Sequence, residues 1–239
     1  MASSGTYTYS LSNGEAVLAA FDRIQLRYPG IQQHHMLTAR REINLLFSEW
    51  SNRQVNLWKV PNTPNQLNLV QGTANYTLPA NVVMVLDAYR SINTGLSNET
   101  DIYMTPISRT EYASYASKSV QAPPTVFWFE RQIVPTVTMY PVPDAGGPYV
   151  FQYYPVLQMQ DANIPGGETP DLPYRWLDAL VAGLTKRLGQ AYPPQGVDMM
   201  AWRKEINDEY ETAWRYAAAQ DTENVPVSLM PAIGGYFRR

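Results

Sequence analysis

The hydrophobic period of this chain changes twice, and those changes limit the folds open to it more than any other feature. Up to about residue 51 apolar residues recur every three or four positions, the spacing of a buried helical stripe. From about Gln54 to Met159 they come in short runs rich in β-branched and aromatic residues, broken by Pro, Gly and Asn, as strands and tight turns are. From about residue 169 the helical spacing returns. No internal repeat or low-complexity segment interrupts this order. It reads as one α+β domain, a four-helix base of two N-terminal and two C-terminal helices with an inserted antiparallel β-rich region, followed by an extended C-terminal arm. The expected bounds are 1–219 for the domain, with helices in about 12–51 and 169–219 and the β-rich insertion in about 54–160, and 220–239 for the arm.

Local signals sharpen the pattern. Ser12 and Glu15 have the spacing of a capping box, and Val17, Phe21 and Ile24 follow at helical spacing until Pro29-Gly30. Met36, Ala39, Ile43, Leu46, Phe47 and Trp50 form the stripe of a second helix, which the short turn should set antiparallel to the first. "QVNLWKV", "QLNLV", "ANYTLP", "PTVFWFE", "QIVPTVTMYPVPD" and "YVFQYYPVL" read as strands, and the nearly unbroken apolar run "NVVMVLDAYR" as a strand covered on both faces. "IYMTPISRTEYASYAS" reads as a strand running into a short helix capped by Ser108 or Thr110. Thr169 can cap the third long helix with Pro170 in its first turn, burying Leu177, Leu180, Val181, Leu184 and Leu188. The last helix turns Trp202, Ile206, Tyr210, Ala213, Trp214 and Ala217 to one side and spaces Glu211 and Arg215 for a surface pair.

A chain of 239 residues, 45% hydrophobic, can bury a sizeable core. Its net charge of -3, with no block of like charge, argues against affinity for nucleic acid driven by phosphate neutralisation. No apolar run reaches the ~20 residues needed to span a bilayer, and the N-terminus has no basic and apolar leader. With no cysteine there is no disulfide, thiol nucleophile or thiolate metal site. The 19 prolines and 17 tyrosines, against 6 phenylalanines, suit edges and surfaces made to be covered by partners.

Catalytic devices are scarce. The only histidines are the adjacent His34 and His35, which point about 100° apart on a helix and read as solvent-exposed or interface residues, with no metal implied. No nucleophile elbow, phosphate-binding loop, dinucleotide fingerprint or calcium loop occurs, and no cofactor is called for. Paired carboxylates remain open, with Asp87, Glu111, Glu130, Asp144, Asp171 and Asp178 as scattered candidates and Tyr and Trp available to stack on sugars. A carbohydrate-active or carbohydrate-binding tail domain acting on the host cell wall is therefore the alternative function. Asp171 is more simply a first-turn residue and Asp144 a turn former, with "AGGP" at Ala145 to Pro148 a flexible hairpin loop.

The sequence from "YTLPANVVMVLDAYR" through "PISRTEYASYAS" and "PPTVFWFERQIVPTVTMYPVPDAGGPYVFQYY" to "LPYRWLDALVAGLTKRLGQ" resembles the head-to-tail adaptor proteins of short-tailed bacteriophages, the group of tail tubular protein A and related tail accessory factors. The resemblance covers most of the chain and rests on the order of turns, strands and helices. It implies a non-enzymatic structural protein of the virion neck or tail, assembled in the host bacterial cytoplasm, with no cofactor and no membrane. It further implies a homo-oligomeric ring, a dodecamer, between the portal protein and the tail nozzle protein, with a bore for transient, non-specific passage of DNA. Another neck or tail-completion protein is a neighbouring possibility.

The segment "NVPVSLMPAIGGYFRR" is too apolar to be left in water at no cost and too broken by Pro226, Pro231, Gly234 and Gly235 to be a helix. Within the resemblance it becomes an arm that docks on the portal through Val225, Val227, Leu229, Met230, Ile233, Tyr236, Phe237, Arg238 and Arg239. The alternative is an arm that packs back on its own chain. Asp144, Gly146 and Gly147 then belong to a loop facing the tail.

Overall fold

The computed structural model describes residues 5–163 and 167–222. Its elements, in chain order, begin with α1 (Asn13–Arg23), α2 (Gln33–Arg53) and a 3-10 turn at Leu57–Lys59. The strands β1 (Asn65–Leu69), β2 (Asn75–Thr77), β3 (Val82–Ile92), β4 (Thr100–Tyr103) and β5 (Thr105–Pro106) follow, then a short α3 (Arg109–Ser114). After β6 (Val126–Glu130), β7 (Thr136–Tyr140) and β8 (Tyr149–Leu157), a second 3-10 turn at Tyr174–Trp176 leads into α4 (Leu177–Ala191) and α5 (Met199–Gln220). The molecule is thus of mixed α+β type.

The capping box of α1 forms: Glu15 N–H donates to Ser12 Oγ at 3.2 Å and Ser12 N–H to Glu15 Oε2 at 2.9 Å. The apolar stripes of α1 and α2 meet α4, whose whole run Ala179–Thr185 is buried, and α5 packs on α4 as well. The expected stripe of Leu180, Val181, Leu184 and Leu188 is buried, and the small residues Ala179, Ala182 and Gly183 widen it, while Asp178 and Gln190 are exposed. Trp176 lies between Trp50 and Trp58, with ring centroids 5.0 and 5.1 Å away, and these rings join both 3-10 turns to the helical core.

Two expectations about this region fail. "QVNLWKV" contains a 3-10 turn where a strand was expected, because Trp58 is drawn onto Trp176 and its Nε1–H donates to the Asp171 carbonyl at 3.2 Å. The third long helix starts at Leu177 and not near Thr169. Pro173 disfavours helical backbone at Leu172, where Leu172 N–H instead bends back to Pro170 O at 2.7 Å, and helical geometry begins only at Tyr174–Trp176.

The β-rich region divides into two four-stranded sheets, ordered β1-β8-β3-β4 and β2-β7-β6-β5. Their strands pair antiparallel except β5 with β6, which is parallel and departs from the expected all-antiparallel insertion. A chain crossing from β4 into β5 changes sheets within one residue and arrives alongside β6 through α3. The sheets share a core in which Phe127 of β6 meets Phe151 of β8 edge-on at 5.4 Å, with Val137, Met139 and Ala88 around them. "FWF" alternates as its period demands: Phe127 and Phe129 join that core while Trp128 stacks on Tyr112 of α3 on the outer face. β3 is covered on both faces only in part. Ala88, Arg90 and Ser91 are buried, whereas Val83 and Asp87 are exposed.

Candidate docking surfaces

β8 supplies a direction. Beyond Leu157, Met159 and Ala162 enter the helical core, so Tyr149, roughly 27 Å back along the strand, marks the far end of the sheets. At that far end lies the β7–β8 loop with Asp144, Gly146 and Gly147. It is not the flexible loop expected. Asp144 Oδ1 accepts from Gly146 N–H at 2.9 Å and from the Tyr149 hydroxyl at 2.8 Å, closing the loop on its own strand. A Cβ on Gly146 would lie 2.7 Å from the Tyr149 hydroxyl and one on Gly147 2.9 Å from Tyr149 N, so both glycines are required by close approach. Burial, aided by Asp144, holds the Tyr149 phenol above its ordinary range, and the buried Arg90 guanidinium sits 5.4 Å from its ring.

Neighbouring turns stiffen the same end. Gly72 N–H donates to Pro143 O at 2.9 Å, tying the β1–β2 turn to the loop. In the β3–β4 turn Glu99 accepts from Gly95 N–H, Ser91 Oγ and Gln152 Nε2, each at 2.9 Å. These bonds, the one from Gly95 first, hold its carboxyl below the usual range. The far end is a set of short, tied loops, which fits a rigid contact surface.

A second strapped region joins the sheets to the helices. Asp171 Oδ2 accepts from Lys59 Nζ and, at 2.9 Å, from Gln160 N–H. Asn44 Nδ2 donates to Ala162 O at 3.1 Å while its Oδ1 accepts from Ala162 N–H at 2.9 Å, as a strand partner would. The helices themselves are clamped by Arg53, whose Nη2 lies 2.7 Å from Glu49 and 2.9 Å from Glu211. Arg187 reaches Glu42 and Glu49 at 3.2 and 2.6 Å. Glu211 spends its carboxylate on Arg53, so the expected Glu211–Arg215 ion pair gives way to a bond from Arg215 Nε to the Glu211 carbonyl at 3.1 Å. Burial raises Glu49, but hydrogen bonds from Arg187 and Tyr210 and the Arg53 charge outweigh it, leaving the carboxyl low.

The nine arm residues Val225, Val227, Leu229, Met230, Ile233, Tyr236, Phe237, Arg238 and Arg239 lie outside the described residues. The described chain stops just past α5 at Thr222, beside a buried Asp221 paired with Arg175. Arg175 also lies 6.0 Å from the Trp58 ring. The root of the arm is therefore in the helical part, away from the Asp144 loop.

The histidine expectation needs correcting. His34 is exposed, but His35 is buried against Phe21 and Tyr192, and the two rings lie 3.9 Å apart because His35 Nδ1 turns back to accept from Gln32 N–H at 2.9 Å. The scattered acids lie apart: Asp171 and Asp144 are bonded as above, Glu111 follows the Ser108 cap, to which its backbone N–H donates, Asp178 lies 3.6 Å from Arg23, Asp87 is on β3 and Glu130 ends β6. Among the described residues no group of three His, Asp or Glu could hold a metal, and no helix is long and apolar enough to cross a membrane. Four of the aromatic rings stack on each other, Tyr115 on Tyr140 at 4.2 Å and Tyr112 on Trp128 at 5.6 Å, while Tyr7, Tyr28, Tyr174 and Tyr216 are exposed. Sequence reasoning missed the Asp144–Tyr149, Asn44–Ala162 and Arg175–Asp221 contacts. Only the first has a local signal, an aspartate just ahead of two glycines in a strand connection.

Residues 8–229 match the family model described as SU10 adaptor protein. A solved chain described as "Neck of empty GTA particle computed with C6 symmetry" is similar at 12% identity and a TM-score of 0.24, over 83% of this chain and 93% of that one. No curated protein matches. With nearly its whole length matched by that model, the chain belongs to the SU10 adaptor protein family, a family of phage head-tail adaptors.

Proposed function

We propose that copies of this chain close into a ring of twelve between the portal protein and the tail nozzle protein, with a bore through which DNA passes. The observation that carries this reading is the separation of two ends on one chain: the arm root beside Arg175 in the helices, and the tied Asp144 loop at the far end of the sheets. A chain built this way can hold two different neighbours at once. The loop of Asp144, Gly146 and Gly147 meets the tail nozzle, and the arm docks on the portal with Tyr236, Phe237, Arg238 and Arg239 as anchors, residue types in which interfaces concentrate their energy. Ring closure from identical copies uses unlike faces of neighbouring copies. The net charge of -3 suits a bore past which DNA slides without sticking. The role is one of binding and holding, with no catalysis, and assembly takes place in the host cytoplasm.

Mixing the protein with its cognate portal under assembly conditions should give ring-shaped complexes by light scattering and electron microscopy. A mixture in which neither method finds such a complex overturns the proposal.

A further inference from the structure

Residues 7–10 read Tyr-Thr-Tyr-Ser, an alternation of large rings with small hydroxyl side chains that has the period of a strand and carries no charge. A single chain does not use it as one. The segment lies outside both sheets. Tyr7 is fully and Tyr9 68% exposed, and the Tyr9 ring meets Tyr174 edge-on at 6.3 Å. Just beyond, the backbone is fixed: Leu11 packs against the helical core, Ser12 caps α1, and Asn13 N–H donates to Glu168 O at 2.8 Å. Two exposed tyrosines on a strand-patterned segment therefore lead off a firm base.

Each sheet ends in two edge strands, and the four differ as places to add another. β2 and β5 have only three and two residues, and β5 ends in Pro106. β4 is exposed at all four positions and carries Asp101, a charge of the kind that keeps added strands off an edge. β1 has neither obstacle. Its five residues Asn65–Leu69 pair with β8 in unbroken register and include no charge. Among the described residues no strand and no loop backbone hydrogen bond occupies its other side. Gln66 and Asn68 on one face of β1 are exposed, whereas on the other face Leu69 is buried in the core of the sheets and Leu67 is half-buried at its rim. The apolar face is thus unfinished at this edge. A strand with rings on the leucine face and hydroxyls on the amide face completes it, and residues 7–10 have that pattern.

We infer that Tyr7–Ser10 of one copy adds as a strand to the β1 edge of a neighbouring copy, with Tyr7 and Tyr9 over Leu67 and with Thr8 and Ser10 beside Gln66 and Asn68. A neighbour's edge is favoured over the chain's own because a single chain holds the segment off β1, with Tyr9 on Tyr174 instead. Main-chain hydrogen bonds supply the affinity and the alternating side chains the fit. The contact joins unlike parts of two copies, as each step of a closed ring does. It rests on the proposed function only in taking copies of the chain to associate.

The chain has no cysteine, so an introduced pair reports on this contact alone. Thr8→Cys combined with Gln66→Cys or with Asn68→Cys, oxidised with diamide under assembly conditions, should give disulfide-linked dimers and higher multiples on a non-reducing gel. Thr8→Cys combined with Asp101→Cys on the β4 edge should give none. Adding Tyr7→Ser and Tyr9→Ser to the first pair should cut the linked yield severalfold while the urea midpoint moves little, since both rings are exposed. Disulfides formed only within chains of monomer mass overturn the exchange in favour of pairing in cis. Linking through the Asp101 position, or equal linking with and without the tyrosines, overturns the β1 assignment. Rings seen by electron microscopy with no link at β1 overturn this inference and leave the proposed ring standing, linked dimers without rings do the reverse, and absence of both overturns both.

Discussion

His35 shows how a single ring can set a pH limit. Its Nδ1 accepts a backbone N–H, so the folded protein needs that nitrogen unprotonated. Burial, with the neighbouring His34 adding to it, lowers its pKa from the usual 6.5. The unfolded chain therefore binds the proton more readily, and the stability held by neutral His35 is complete above about 6.5 and is lost as pH falls through the lower folded value. A urea midpoint that declines as pH falls below 6.5, and declines less in His35→Gln, is the expected result. The loop makes a second residue-scale case. Asp144→Ala removes the acceptor of both Gly146 N–H and the Tyr149 hydroxyl, and hydrogen exchange should accelerate in 142–149 while the global urea midpoint moves little. The turn-forming aspartate was legible from its neighbours in sequence. Its hold on Tyr149 was not, since that needs the return of β8.

Among the elements, α4 has the least freedom because α1, α2 and α5 all pack on it. At Gly183 a Cβ would lie 2.8 Å from Leu46 Cδ2 and 3.0 Å from Tyr210 Cε2, and both neighbours are fully buried. Gly183→Ala should therefore destabilise by about 1–3 kcal/mol through overpacking, despite alanine's better helix propensity, and the denaturant midpoint measures it. Tyr210 accepts from Trp50 Nε1–H and donates to Glu49 Oε1, each at 3.0 Å, joining α5 to α2. Tyr210→Phe leaves the buried indole N–H without its acceptor and should cost about 1–3 kcal/mol. Equal stability of the variant and the parent would show the bond to be dispensable. Helix identity was readable from the 3.6-residue stripes. The partner of each polar group on those stripes was not: Glu211 and Arg215 have good spacing for a pair, yet Arg53, far away in sequence, takes the carboxylate because it lies on the facing helix.

For the whole molecule the relevant quantity is the separation of its two ends. Removing Val225–Arg239 should leave the helical core cooperative, with an unchanged near-ultraviolet spectrum, because the helices already bury Trp50, Trp176 and Tyr210 against one another. Portal attachment should fall strongly in a pull-down or light-scattering assay. A truncated chain that binds the portal as well as the parent would remove the arm from the interface. The Asp144 loop, at the opposite end, should be silent in the same assay, since a contact some strand lengths from the arm root adds no area to that interface.

By itself the sequence determined where most helices and strands fall, that Ser12 caps α1, that FWF splits its rings between two faces, and that the thiol-based chemistries are closed to this chain. These follow from local periods, caps and residue types, which act within one turn or one strand. Tertiary structure alone decided that the β-rich region would become two sheets, that Trp58 would leave its strand pattern for Trp176, and that Asp171, Asn44 and Arg53 would strap distant segments together. Each of these depends on contacts between residues far apart in the chain, whose free energy exceeds the small local preference it overrides.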